Sequence, residues 1–127
     1  MERIKILLID DEKAFCDLVK MNLELSGKFT VVMAHNGEEG VEAAKREKPD
    51  AILLDIRMPV MDGFETLESL KKIRETMPIP VIMLSAIDDD ASKIRSSEMS
   101  GEYYISKPIS SDELAGKIEW VLSLRGK

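Results

Sequence analysis

Polar residues in this chain recur at one kind of place, where an apolar run ends. Asp10, Asp11 and Glu12 follow Ile4-Lys5-Ile6-Leu7-Leu8-Ile9, and Asp55 follows Ala51-Ile52-Leu53-Leu54. Ser85 follows Val81-Ile82-Met83-Leu84, and Lys107, with Pro108 behind it, follows Tyr103-Tyr104-Ile105-Ser106. If these runs are parallel strands of one sheet, the polar residues share the edge outside the carboxyl ends, where open α/β sheets bind their ligands. Carboxylates brought together there repel one another, and the cluster is stable when a cation neutralises it or a pKa rises. Oxygen ligands without a neighbouring His or Cys select Mg²⁺ or Mn²⁺ over zinc, and a few carboxylates that leave several waters on the ion suit Mg²⁺ best. In such a site a carboxylate can attack phosphorus and become an aspartyl phosphate, while the metal, a lysine and a hydroxyl or backbone N–H stabilise the equatorial oxygens. Asp55, Lys107 and Ser85 with Mg²⁺ supply that set. Acids after strands also open helices, and Asp10-Asp11-Glu12 could do only that. The coincidence of four strand ends favours chemistry, as does Pro108, which cannot continue a central strand and marks a turn aiming Lys107 back across the edge.

The elements that must position these residues are legible from hydrophobic period. Runs at residues 4–9, 30–34, 51–54 and 81–84, with a shorter one at 103–106, are predominantly apolar on consecutive positions. That pattern suits strands covered on both faces, as in a parallel sheet between helices. Helical stripes lie between them. Phe15, Leu18, Val19 and Leu23 mark a first helix that stops at Gly27, and Val41 and Ala44 mark a second over about residues 37–48, before Pro49. Phe64, Leu67, Leu70, Ile73 and Met77 predict a third that continues to Pro78. Residues 89–99 predict a fourth with a thin stripe, Ala91 and Ile94. The last, over residues 111–124, has Ser110 or Ser111 as cap and Leu114, Ala115, Ile118, Val121 and Leu122 on one face. Five alternations of strand and helix predict a doubly wound α/β fold, (βα)5, with a five-stranded parallel sheet. The order 2-1-3-4-5 is the flavodoxin-like option, which alternation alone does not select.

Length and composition bound the rest. The chain has 127 residues, the size of one domain, so residues 1–127 are expected to form one. With 44% hydrophobic and 33% charged residues it is an ordinary globular sequence, without an apolar span long enough for a membrane. Its first residues lack the regions of a signal peptide, which predicts a cytoplasmic location. A net charge of −6 opposes direct nucleic acid binding by this domain. Cys16, the single cysteine, reads as a small core residue, and His35, the single histidine, as a strand-edge residue with no second soft ligand. Trp120 on the last helix suits either packing or a partner contact.

Asp10-Asp11, the segment Asp55-Ile56-Arg57-Met58-Pro59-Val60-Met61-Asp62-Gly63, Ser85-Ala86 and Tyr104-Ile105-Ser106-Lys107-Pro108 resemble the receiver domains of bacterial two-component systems, over the whole chain. That resemblance implies a phosphoacceptor role for Asp55. It implies Mg²⁺ held by Asp11, Asp55 and the backbone carbonyl of Arg57, with Asp10 reaching the ion through water. Lys107 would pair with the phosphoryl group, and Ser85 with Tyr104 would form the switch. The implied partners are a sensor histidine kinase and a downstream effector protein or effector domain, with a homodimer through the fourth helix, fifth strand and fifth helix as one arrangement. The chain departs from the family at Gly101-Glu102-Tyr103-Tyr104, one residue shorter than the usual segment before the fifth strand.

Two other readings fit less well. A phosphatase or phosphotransferase of the haloacid-dehalogenase type also uses a strand-end aspartate and Mg²⁺, but it wants a second acid two positions on, where Arg57 stands. A nucleotide-binding protein would place a glycine-rich loop after the first strand, where Asp10-Asp11-Glu12 would repel a phosphate. A phosphorylation-independent receiver would typically lack one acid or the lysine. The expectation is thus a signalling domain that catalyses only its own phosphorylation and dephosphorylation. Arg57 and Ile87, two positions beyond Asp55 and Ser85, are neither carboxylate nor amide and predict slow loss of the phosphoryl group. No effector domain lies within these residues, so a stand-alone regulator and a piece of a longer protein are both open.

Overall fold

The computed structural model describes residues 2–86, 89, 91–92, 94–95, 102–107 and 109–125. In chain order these form β1 (Ile4–Ile9), α1 (Lys13–Leu25), β2 (Phe29–Ala34), α2 (Gly37–Glu47), β3 (Ala51–Asp55), α3 (Gly63–Lys72), β4 (Val81–Ser85), β5 (Tyr103–Ser106) and the C-terminal helix α4 (Ser111–Leu124). All strand pairs are parallel, in the order β2-β1-β3-β4-β5. The chain crosses from β1 to β2 on one side and back to β3 on the other, so the reversal of strand order falls between β1 and β3, beside the ends that carry Asp10 and Asp55.

The consecutive apolar residues of the central strands serve two cores, because successive side chains on a strand point to opposite faces. Ile6, Leu8, Val31, Leu53, Ile82 and Leu84 pack under α1 and α4 with Cys16, Leu23, Ile118 and Val121. Leu7, Ile9, Ile52, Leu54, Val81 and Met83 pack under α2 and α3 with Ala43, Ala44, Leu67 and Leu70. Full burial of each such Leu or Ile contributes roughly 2 kcal/mol, so the sheet and the helix faces on it carry the bulk of the apolar stabilisation.

Several predicted details are corrected. The third helix ends at Lys72 rather than reaching Met77, although the apolar spacing continues. Ile73 is extended, the Thr76 hydroxyl donates to the Leu70 carbonyl at 2.6 Å, and Lys71 Nζ donates to the Met77 and Ile79 carbonyls. The Thr76 hydroxyl takes the Leu70 carbonyl that a further turn would have paired with the Arg74 N–H, and Lys71 ties the last turn to carbonyls of the loop before β4, so the chain leaves the helix at little cost. In α1 the inward stripe is Cys16, Val19 and Leu23, whereas Leu18, one step off it, is 52% exposed. Lys48 caps α2 in the left-handed region at φ 48° instead of extending it, and Ser110, not Ser111, caps α4 by accepting from Glu113 N–H. Of the predicted fourth helix, Ala91, Ser92, Ile94 and Arg95 are helical, and its remainder apart from Asp89 lies outside the described residues. Among the described residues no helix is long and apolar enough to cross a membrane.

Candidate functional site

The register puts the acids together. Ile9 pairs with Leu54, so the next residues on the adjacent strands are Asp10 and Asp55. Asp10 is fully buried and Asp55 is 7% exposed, while Asp11 and Glu12 face solvent. Asp10, Asp11 and Asp55 each offer a carboxylate oxygen, and these oxygens lie within 4.8 Å of one another. Glu12 contributes only its backbone N–H, which donates to Asp10 Oδ1 at 3.0 Å.

Lys107 reaches this cluster from the far end of the sequence. Its backbone N–H donates to the Ser85 carbonyl at 2.8 Å, which continues the β4–β5 pairing one step past the strand. From there its ammonium donates to Asp10 Oδ2 at 3.0 Å and Asp55 Oδ1 at 3.1 Å, and it lies 4.4 Å from the centre of the Phe15 ring. Phe15 thus serves as more than a core residue, since its ring face supports the cation from the first turns of α1.

The electrostatics describe an acid site short of positive charge. Burial, followed by the neighbouring Asp10 charge, pushes the Asp55 carboxyl up from 3.8 to about 6, against the opposing pull of Lys107. Burial alone would lower the Lys107 ammonium, and the hydrogen bond and charge of Asp10, with those of Asp55, outweigh it and raise its pKa. One ammonium therefore leaves the three carboxylates incompletely neutralised, and a hard divalent cation fits the deficit and the all-oxygen donors. The two softer groups nearby are turned elsewhere. Cys16 Sγ and His35 Nδ1 both meet the Asp10 backbone carbonyl, at 3.4 and 3.1 Å. The Cys16 thiol is pushed up to about 12 by burial, with Asp10 adding to it, so it is a core group rather than a ligand.

The loop after β3 is built to return close to Asp55. Gly63 N–H donates to the Ile56 carbonyl at 2.8 Å, and a Cβ on Gly63 would collide with the Asp55 carbonyl oxygen and Ile56 Cα. Only glycine allows α3 to begin there. Asp62 and Glu65 form a reciprocal capping box at that start. Val60, at the loop's tip, is fully exposed with φ 68°, in the left-handed region that a β-branched residue rarely adopts.

Ser85 ends β4 and is 7% exposed. An open pocket of about 400 Å³ runs from it along Ala86, Asp89, Ile94, Tyr104 and Ser106. Tyr104 is half-buried there, packing toward the core under α2 and α3 together with Ile94. Tyr103 faces the opposite core, and its ring meets Trp120 edge to face at 6.0 Å, while Trp120 itself is 50% exposed.

Sequence reasoning missed Asp89. The Arg57 guanidinium pairs with it at 2.8 Å instead of standing free over the site, and the Ala86 N–H donates to its other oxygen. The available signal was its position three residues after Ala86, the spacing of a helix-start acid. Ile87, paired with Arg57 in the sequence reading, lies outside the described residues.

Comparison with known proteins agrees with this geometry. A family model described as the response regulator receiver domain matches residues 6–119. The alkaline phosphatase synthesis transcriptional regulatory protein PhoP of Bacillus subtilis is 36% identical over 118 residues, which are 93% of this chain and 48% of that protein. The probable transcriptional regulator ycf27 of Porphyridium aerugineum is 37% identical over 122 residues, 96% of this chain and 49% of that protein. The chain therefore spans about half the length of these curated relatives. Among solved structures, a CheY-like receiver domain protein of Methanospirillum hungatei superposes with a TM-score of 0.87 at 30% identity, covering 98% of each chain. The receiver domain of a Pseudomonas aeruginosa sensor histidine kinase, described with a magnesium ion coordinated in its active site cleft, does so with a TM-score of 0.83 at 26% identity, covering 96% of this chain and 99% of its own. With strand order, acid cluster and sequence in agreement over nine-tenths of its length, the chain belongs to the response regulator receiver domain family.

Proposed function

We propose that this receiver domain, taken as residues 1–127, accepts a phosphoryl group on Asp55 and converts it into a change of surface. The observation that carries the reading is the bridging of Asp10 and Asp55 by Lys107 Nζ, at 3.0 and 3.1 Å, on the same sheet edge as Ser85. Asp55 is the nucleophile: its Oδ–P bond forms as the donor's bond to phosphorus breaks, and the leaving group departs on the opposite side of phosphorus. The carboxylate is the form that attacks, and a cation beside Asp55 favours it over the acid. Lys107 then exchanges a carboxylate oxygen for a phosphoryl oxygen, and the Ser85 hydroxyl donates to another. Asp11, Asp55 and the Arg57 carbonyl would hold Mg²⁺ directly, with Asp10 acting through water. Bound there, the ion would neutralise the acids and the charge on the transferring group.

A sensor histidine kinase is the proposed donor, and an effector domain or separate effector protein the recipient of the signal. Both curated relatives are named as transcriptional regulators, which supports an output of that class. Ser85 and Tyr104 share one pocket, which supports their coupling as a switch, and the expected fourth helix, of which residues 89, 91–92 and 94–95 are described, is proposed to form the partner or dimer surface with β5 and α4. The domain is proposed to work in the cytoplasm and to act on no substrate but its own phosphoryl group. The phosphatase reading finds no support at Arg57, where its second acid would be required.

The test is treatment with acetyl phosphate and Mg²⁺ followed by mass spectrometry. A gain of about 80 daltons on the parent, absent from Asp55→Asn, is expected for one phosphoryl group. An undiminished gain in Asp55→Asn would overturn the assignment.

A further inference from the structure

The segment after β4 already holds an anion of its own. The Asp89 side chain is 2% exposed. One of its oxygens accepts from the Ala86 N–H, the other pairs with Arg57 at 2.8 Å, and Asp89 N–H returns to the Ala86 carbonyl at 3.1 Å. A backbone N–H and an arginine converging on two oxygens form the donor set that recognises a phosphoryl group.

The direction of the Ala86 N–H follows from the sheet. The Leu84 carbonyl accepts from Ile56 N–H and so points to β3, while the Ser85 carbonyl accepts from Lys107 N–H and points to β5. Successive peptide groups alternate sides, so the N–H of Ala86 faces β3, whose end carries Asp55, Ile56 and Arg57. Asp89 therefore sits on the donors nearest the nucleophile's side of β4.

We propose that Asp89 is an internal competitor of the phosphoryl group, occupying the Ala86 N–H and the Arg57 guanidinium until phosphorylation of Asp55 displaces it. The proposal rests on Asp55 being the phosphoacceptor. Phosphorylation replaces the single carboxylate charge of Asp55 by nearly two negative charges on three acceptor oxygens that reach further toward this corner, and the group repels the Asp89 carboxylate while taking its donors. Loss of the reciprocal bonds between Asp89 and Ala86 would release the start of the segment that lines the Tyr104 pocket, which connects the chemistry to the switch surface. Asp89 is thus a residue that sets the ease of phosphorylation, beyond any part it plays in starting a helix.

Beryllofluoride, a phosphoryl mimic, can be titrated with saturating Mg²⁺ into the parent, Asp89→Ala and Asp89→Asn by isothermal calorimetry. The competitor predicts affinity about five- to tenfold tighter for Asp89→Ala, from removal of one charge-assisted hydrogen-bonding partner, with Asp89→Asn between it and the parent. Adding Arg57→Gln to Asp89→Ala should take back much of the gain, because a guanidinium no longer held by Asp89 donates to the mimic. Equal or weaker binding by both Asp89 variants would overturn the proposal and leave the phosphoacceptor reading intact. A parent that neither binds beryllofluoride nor gains phosphoryl mass on Asp55 would overturn both.

Discussion

Lys107 Nζ lies 3.1 Å from Asp55 Oδ1, across 52 positions of sequence. The contact exists because β5 pairs with β4 in a register that brings Lys107 one step past the sheet edge. Lys107→Ala should cut phosphorylation by acetyl phosphate at least tenfold, since it removes a charge from the transferring group. It should also destabilise the metal-free protein by roughly 1–3 kcal/mol, because Asp10 and Asp55 then face each other without a cation. Labelling time courses and urea unfolding read the two effects, and a variant labelled at the parent's rate would contradict the role.

Asp55 makes the metal-free protein's stability depend on pH. Its folded pKa, about 6, is raised above the ordinary 3.8, so the folded state binds more protons than the unfolded state between these values. This contribution is complete below pH of about 4 and is lost as pH rises through 6. Asp55→Asn should therefore stabilise the protein by on the order of 2 kcal/mol at pH 7.5 and by little at pH 4. Unfolding in the presence of a chelator measures both, and an equal effect at the two pH values would show that charge crowding is not the cause.

Asp11 and Glu12 are adjacent and both exposed, yet only Asp11 offers an oxygen to the acid set. Asp11→Ala should weaken Mg²⁺ binding about tenfold or more, and Glu12→Ala by less than about twofold. Titration of Mg²⁺ against each variant decides, and equal losses would show that the two acids act only through bulk charge.

Val60 carries a positive φ on a β-branched residue with no burial to compensate. Val60→Gly should raise stability by about 1 kcal/mol, the strain of that conformation less the entropy that glycine adds to the unfolded chain. A thermal melt measures this. A lower melting temperature would mean that the valine side chain stiffens the loop more than its backbone strains it.

Switching should be visible at Ala86 and β5. Hydrogen exchange with and without beryllofluoride is expected to change most at the Ala86 amide and at residues 102–107, which share the pocket or border it. Changes confined to α1 and α2 would contradict coupling between Ser85 and Tyr104.

The primary sequence determined the fold class and most of the acid site through patterns that act locally. Consecutive apolar residues at 52–54 and 81–84 require cover on both faces, and strand ends carry Asp10, Asp55, Ser85 and Lys107 wherever the strands go. Strand order and register were decided only in three dimensions. Alternation permits other orders, and the pairing of Ile9 with Leu54 turns two distant aspartates into neighbours. Tertiary bonds also overrode local period. The Thr76 hydroxyl partners the Leu70 carbonyl where α3 ends and Lys71 holds the loop beyond it, and rotation of α1 leaves Leu18 in solvent although it is as apolar as Leu23. Asp89 shows the limit most directly. Its spacing from Ala86 is a local signal for a helix start, but its pairing with Arg57 depends on two loops from adjacent strands meeting, and hydrophobic period carries no information about which loop charges will meet.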